Sequence, residues 1–290
     1  QMGRHQPKKK VDLTKKCTAE ILDWFESLLA ESEVISQQQR ENWIYFTLHS
    51  VFLCFIENTK SKRLDKIPRH RPPTRYVQQL SKILSSYNFV LEEYSKRAVG
   101  PEMLGVLFEN VLGFLEQRQT NIRHNTGSFY TPPQIVNYMI EESLVLYLER
   151  KLSLTNTAEI KKELYKLVQC RCKKNPFEED SNLTKAIVCA LSECRILDPC
   201  CGAGAFLVGF LERMVEVLDI LDPQNSLWME IHIQKYKDEM VSIDGIFDEE
   251  MVSPKFAKKF FLIKNCIFGV DIQPLATQIC AWRSLILLMS

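Results

Sequence analysis

The sequence has no apolar run long enough to cross a bilayer, no internal repeat, no low-complexity tract and no large excess of either charge. Its longest apolar stretch, Trp43 to Ile56, is interrupted by Thr47, His49 and Ser50. It falls short of the roughly 20 residues that a spanning helix needs, so it reads as a buried helix. No charged-then-apolar leader opens the chain, which gives no mark for export and points to the cytoplasm. What remains is 290 residues with 46% hydrophobic, 10% aromatic and 25% charged positions. That composition excludes disorder, collagen-like repeats and coiled coil, and leaves room for one large or two modest domains. In such a protein the ten cysteines are expected as free thiols rather than a disulfide framework.

The net charge of +1 singles out no partner, but its distribution is uneven. Residues 1–16 hold six basic side chains (Arg4, Lys8, Lys9, Lys10, Lys15, Lys16) against Asp12, and residues 60–75 hold seven (Lys60, Lys62, Arg63, Lys66, Arg69, Arg71, Arg75) against Asp65. The rest of the chain is left with 24 basic and 34 acidic residues. Two concentrated basic segments suit contact with phosphates, and equally suit a solvated tail and a solvated loop.

Periodicity divides the chain into two parts. Over residues 1–120, apolar residues recur at helical spacing in three stripes: Leu13, Ile21, Leu22, Phe25, Leu28, Leu29; then Tyr76, Leu80, Ile83, Leu84, Tyr87; then Met103, Leu104, Leu107, Phe108, Val111, Leu112, Leu115. With Trp43 to Ile56 these predict a helical domain of about four helices, and Pro68, Pro72 and Pro73 put the second basic segment in a loop. From residue 121 the pattern changes. Thr131 is the expected N-cap of a helix with Pro132 at its first position. Two helical patterns fill 155–193, a strand covers Arg195 to Asp198, and a helix runs from Ala205 to about Leu221. Residues 222–262 are polar and mixed and read as an insertion. A second strand, Cys266 to Asp271, and a helix from Pro274 to Leu288 complete the opening of a parallel α/β sheet.

The sharpest local signal is Asp198-Pro199-Cys200-Cys201-Gly202-Ala203-Gly204-Ala205-Phe206. A strand that ends in Gly-x-Gly and opens a helix brings bare backbone close to a ligand and aims helix N–H groups at it. The dinucleotide fingerprint would need glycine at 207, where this chain has Leu207. With bulky Phe206 beside the loop, a single adenosyl group fits better than a dinucleotide. Asp271, at the carboxyl end of the second strand, can accept from both ribose hydroxyls of such a ligand. It follows Gly204 by 67 positions rather than the usual 20 or so, and the insertion at 222–262 accounts for the excess. The scattered cysteines and histidines, Cys170-x-Cys172 included, do not pair into a metal-binding spacing, and no metal is expected. Cys200, next to Cys201 at a helix N-terminus, is a candidate for a lowered thiol pKa, although a role as a small loop residue fits it better.

In these segments, taken with Leu104-Gly105, Phe108-Glu109 and Thr126 to Pro133, the chain resembles the S-adenosylmethionine-dependent adenine-N6 DNA methyltransferases of type I and type IIG restriction-modification systems. The resemblance spans residues 104–276. It implies an N-terminal helical domain followed by the first part of a class I (Rossmann-like) methyltransferase fold with an incomplete sheet. Residues 1–120 would be helical, and 121–290 would be the partial cofactor domain. It also implies roles. Phe129, Tyr130 and Thr131 would close over the methionine end of the cofactor. Asp198 and the backbone of Cys200, Cys201, Gly202 and Gly204 would hold its amino acid part. Asp271 would take the ribose, and Ile272 would pack on the adenine. The implied partners are duplex DNA and specificity or restriction subunits.

The same resemblance implies a catalytic tetrapeptide, Asn or Asp then Pro-Pro and an aromatic, that would hold a flipped adenine. No such tetrapeptide occurs up to Ser290. Asn175-Pro176-Phe177 precedes the glycine loop and lacks the second proline, so it is expected to be a helix-breaking loop. No catalytic residue is therefore assigned, and the chain is expected to be an N-terminal fragment that binds cofactor without turnover. Apolar faces around Ile279, Trp282, Leu285 and Leu287 are expected to be exposed and to favour self-association. Two alternatives stay open: a class I methyltransferase for a non-DNA acceptor, and a non-enzymatic helical interaction module.

Overall fold

Apolar stripes at helical spacing become helices throughout the computed structural model of the protein, which describes residues 13–30, 36–57, 72–91, 98–118, 131–153, 158–232 and 253–290. The chain divides into two units between Ser128 and Phe129. The first unit contains α1 (Leu13–Ala30), α2 (Gln37–Glu57), α3 (Thr74–Ser85) and α4 (Glu102–Arg118). Ile21, Phe25 and Leu28 of α1 are buried as their spacing predicts, and Trp24 joins them. The Trp24 indole N–H donates to the Tyr76 carbonyl at 3.0 Å, and the Tyr76 hydroxyl donates to the Ser27 carbonyl at 3.1 Å. These two bonds tie α1 to α3. Helix α2 is apolar on most sides, as a helix enclosed by its neighbours must be. Its buried Thr47 is tolerated because the hydroxyl donates to the Trp43 carbonyl one turn back, at 2.7 Å.

The second unit contains α5 (Pro133–Lys151), α6 (Ala158–Val168), α7 (Ser181–Glu193), β1 (Ile196–Asp198), α8 (Ala205–Leu221), a helical stretch at 226–232, α9 (Pro254–Cys266), β2 (Ile267–Gly269) and α10 (Pro274–Met289). Strands β1 and β2 are parallel neighbours, with Ile196 opposite Ile267, Leu197 opposite Phe268 and Asp198 opposite Gly269. Eight residues of α8 are buried, among them Leu207, Leu211, Met214 and Leu218. Each such side chain contributes roughly 1.5–3 kcal/mol relative to exposure, so α8 anchors the start of its own N-terminal loop.

Several boundaries differ from the sequence reading. Helix α5 starts at Pro133 with Pro132 as its N-cap and no side-chain cap, so Thr131 is not the capping residue. Cys266 ends α9 instead of opening β2. Residues 254–262, read as polar insertion, are helical. Ser253 caps α9 by accepting from the Phe256 N–H at 3.2 Å, and Lys258 and Lys259 are fully buried. Lys258 pairs with Asp219 and also donates to Asn225 Oδ1 at 2.6 Å. A Lys-Lys dipeptide looks like a solvated face, and only tertiary partners reveal otherwise.

The expected exposed face of α10 is also corrected. Ile279 and Trp282 are buried, and Leu285 and Leu287 are half-buried. The exposed apolar side chains of this region lie on and after the strands instead: Leu197 at 64%, Phe268 at 41%, Val270 at 57% and Ile272 at 80%. Leu197 and Phe268 are register partners, so they stand on one face of the sheet.

Candidate functional site

The end of β1 is held by its own carboxylate. Asp198 Oδ1 accepts from the Cys200 N–H at 3.0 Å across Pro199 and turns the chain sharply. Beyond the formal strands the pairing continues: the Val270 N–H donates to the Asp198 carbonyl at 2.9 Å, and the Cys201 N–H donates to the Val270 carbonyl at 3.0 Å. Gly202 and Gly204 then take left-handed conformations, with φ of +52° and +82°. Gly204 is the N-cap of α8, and its N–H donates to the Cys201 carbonyl at 2.8 Å. The N–H groups of Ala205, Phe206 and Leu207 open the helix without intrahelical acceptors and give the loop a positive pole.

Asp271 is joined directly to this loop. Its Oδ2 accepts from the Gly202 N–H at 2.9 Å, and its Oδ1 accepts from the Gln273 N–H at 2.8 Å. Each carboxylate oxygen has two acceptor positions, so each can still take one more donor. That pair of remaining positions matches two adjacent hydroxyls. Next to it Ile272 holds an apolar side chain out in solvent, where it can cover one face of a flat ring.

The two loop cysteines differ. Cys200 is exposed and Cys201 is buried. Burial, then Cys280, then Asp271 and Asp198 push the Cys201 thiol up to about 12. The packing explains why residue 204 must be glycine. A Cβ there would sit 2.5 Å from Cys280 Sγ, in addition to the unfavourable φ. At Gly269 a Cβ would meet Leu207 Cδ1 at 2.6 Å and Cys201 Sγ at 3.0 Å. Cys201, Cys280, Leu207 and Gly269 also border an apolar cavity of about 380 Å³ between β2, α9 and α10. Two supports escaped the sequence reading. Arg283, buried on α10, donates from a terminal guanidinium nitrogen to the Ala203 carbonyl at 3.0 Å, and Cys280 packs beneath Gly204. Both lie far along the chain from the loop, and no local spacing signals them.

The structure thus brings Asp198, Cys200, Cys201, Gly202, Gly204, Asp271 and Ile272 to one place. Phe206 is half-buried and packs on the core of the second unit. Thr131 is half-buried just before α5, and Phe129 and Tyr130 lie outside the described residues. Asn175 is committed to a turn. Its Oδ1 accepts from the Phe177 N–H at 2.9 Å, and its Nδ2 donates to Thr184 Oγ1 at 3.0 Å. Most of the two basic segments lies outside the described residues, and Arg75, at the edge of one, stacks over the Tyr76 ring at 5.0 Å. Among the described residues no group of three or more His, Cys, Asp or Glu could hold a metal ion, and no helix is long and apolar enough to cross a membrane.

No known family profile matches the chain, and no solved structure matches it. It is similar to a protein of Methanocaldococcus jannaschii named "Putative type II restriction enzyme and methyltransferase", with 22% identity over 212 residues. The match covers 71% of this chain and 16% of that relative, so the chain spans a small part of the relative's length.

Proposed function

We propose that this chain is the cofactor-binding part of a restriction-modification DNA methyltransferase, that its second unit has a class I (Rossmann-like) fold, and that it binds S-adenosylmethionine at the loop after β1. The observation that carries the reading is the bond between Gly202 N–H and Asp271. It joins a left-handed glycine turn to a carboxylate at the ends of two parallel neighbouring strands. The similarity to the Methanocaldococcus jannaschii protein supports restriction-modification methyltransferase as the broader class.

The residues fit the group. Asp271 accepts from the two ribose hydroxyls through its remaining acceptor positions. The backbone of Cys200 to Gly204 and the opening N–H groups of α8 hold the amino acid carboxylate, which the helix terminus favours electrostatically. Ile272 covers the adenine. When bound, the cofactor supplies an electrophilic methyl on a sulfonium. In the longer protein the acceptor would be adenine N6 of duplex DNA, flipped out of the stack.

Calorimetry with S-adenosylmethionine tests the cofactor site, and absence of binding heat overturns it. For the acceptor, full-length protein is incubated with duplex DNA and methyl-labelled cofactor, and the DNA is digested to nucleosides. Label in N6-methyl-2′-deoxyadenosine supports the finer reading, whereas label in a deoxycytidine derivative or none in DNA refutes it.

A further inference from the structure

Most hydrogen bonds made by the described cysteine thiols go to oxygen: Cys170 to Glu216 at 3.3 Å, Cys172 to the Lys166 carbonyl at 3.7 Å, Cys266 to the Ser192 carbonyl at 3.4 Å. Cys201 and Cys280 instead pack together, with Leu207, in one small buried apolar cluster. They come from different elements, one from the glycine loop and one from α10. Both are buried against backbone, with Cys280 Sγ beneath Gly204 and Cys201 Sγ beneath Gly269. Both also border the same apolar cavity of about 380 Å³, which admits a small uncharged oxidant.

We infer that Cys201 and Cys280 form a modification site, a dithiol that a peroxide closes to a disulfide, clamping the glycine loop onto α10 and weakening ligand binding at that loop. The ligand clause rests on the reading given under Proposed function. In the first step the Cys201 thiolate attacks the peroxide, an S–O bond forms, the O–O bond breaks and hydroxide leaves. The Cys280 sulfur then attacks that sulfur, an S–S bond forms, and the S–O bond breaks. The departing hydroxyl takes up the Cys280 proton and leaves as water, and the hydroxide of the first step takes up the proton that Cys201 gave up in forming its thiolate. Two thiols are oxidised and one hydrogen peroxide is reduced to two waters.

The clamp acts on the site because Cys201 is part of its frame. Its N–H is bonded to the Val270 carbonyl and its carbonyl to the Gly204 N–H. Arg283 already ties α10 to the Ala203 carbonyl. A covalent second tie removes the freedom of the loop to shift from Asp271 toward a ligand. Because the thiolate is the nucleophile and burial holds the Cys201 thiol up to about 12, closure is slow at neutral pH. Its rate should rise about tenfold per pH unit between pH 7 and 9.

The test uses the chain treated with hydrogen peroxide, alkylated, digested and read by mass spectrometry, beside calorimetry with S-adenosylhomocysteine. A peptide linking Cys280 to the loop is expected in wild type and in Cys200→Ser, and is absent in Cys280→Ser and Cys280→Ala. Ligand affinity should fall about tenfold on oxidation and return with dithiothreitol. A freely alkylated Cys280 after peroxide overturns the dithiol. An unchanged affinity in the linked form, or an equal loss in the Cys280 variants, overturns the clamp. If reduced protein binds no ligand, the functional reading and the clamp fail together, while the linked peptide decides the dithiol by itself.

Discussion

Replacing Asp271 by Asn separates the carboxylate's two duties by a single change of shape-conserving chemistry. In the native loop Asp271 accepts two backbone donors, Gly202 N–H at 2.9 Å and Gln273 N–H at 2.8 Å. Asparagine keeps one acceptor oxygen, so one of these N–H groups must face an amide NH₂. Hydrogen bonds to a charged acceptor are worth about 1.5–3 kcal/mol each, and the half-buried position argues for the lower figure. A loss of about 1.5 kcal/mol corresponds to a melting shift of about 3–6 °C for a unit of this size. The second duty is ligand binding. Losing the charged acceptor of one hydroxyl should weaken S-adenosylmethionine by about 1.5–3 kcal/mol, or roughly tenfold to a hundredfold. Calorimetric melting and titration calorimetry on the same preparation measure both. Asp271→Asn melting within 1 °C of wild type and binding within twofold would refute the reasoning, because neither bond could then be carrying the loop.

Three further outcomes follow from the same geometry. Gly204→Ala should destabilise by about 1–3 kcal/mol, since its Cβ would meet Cys280 Sγ at 2.5 Å; adding Cys280→Ala should recover part of this as a coupling above about 0.5 kcal/mol in a denaturation cycle, and strict additivity would contradict the contact. Lys259 is buried with its pKa lowered to about 8, chiefly by desolvation and then by Lys255. Between pH 8 and about 10.5 the unfolded chain binds a proton that the folded chain does not, so this group's penalty is full below pH 8 and fades as pH rises. The stability of wild type minus Lys259→Met should therefore increase from pH 7 to pH 10, and a flat difference would show that the lysine is not desolvated. Finally, Leu197→Thr with Phe268→Thr should reduce self-association in sedimentation while moving stability by under about 1 kcal/mol. Unchanged sedimentation would mean that the exposed sheet face is not what associates.

The site was legible in the sequence to the extent that its determinants are local. Asp198 to Gly204 announces a turn because, within seven residues, Pro199 fixes the backbone and two glycines admit left-handed conformations closed to other residues. Asp271 stood out because it follows an apolar run, although the bond to Gly202 spans 69 positions. The helix at 254–266 was not legible, because Lys258 and Lys259 are polar by composition and buried by circumstance. Ile279 and Trp282 were misjudged for the converse reason: an apolar face says that a partner is needed, not whether one is present.

What the sequence determined by itself was the order of the strands and of the helices that carry clear apolar stripes, and the chemistry available at the loop. Those follow from backbone restriction and apolar periodicity, which act over a few residues. The tertiary structure decided which distant side chains meet: Asp271 with Gly202, Arg283 with Ala203, Cys280 with Cys201 and Gly204, and Lys258 with Asp219. Such meetings depend on how parallel strands and their helices pack in three dimensions. A carboxylate, a thiol or an ammonium carries in its sequence position no record of the partner that will compensate its burial.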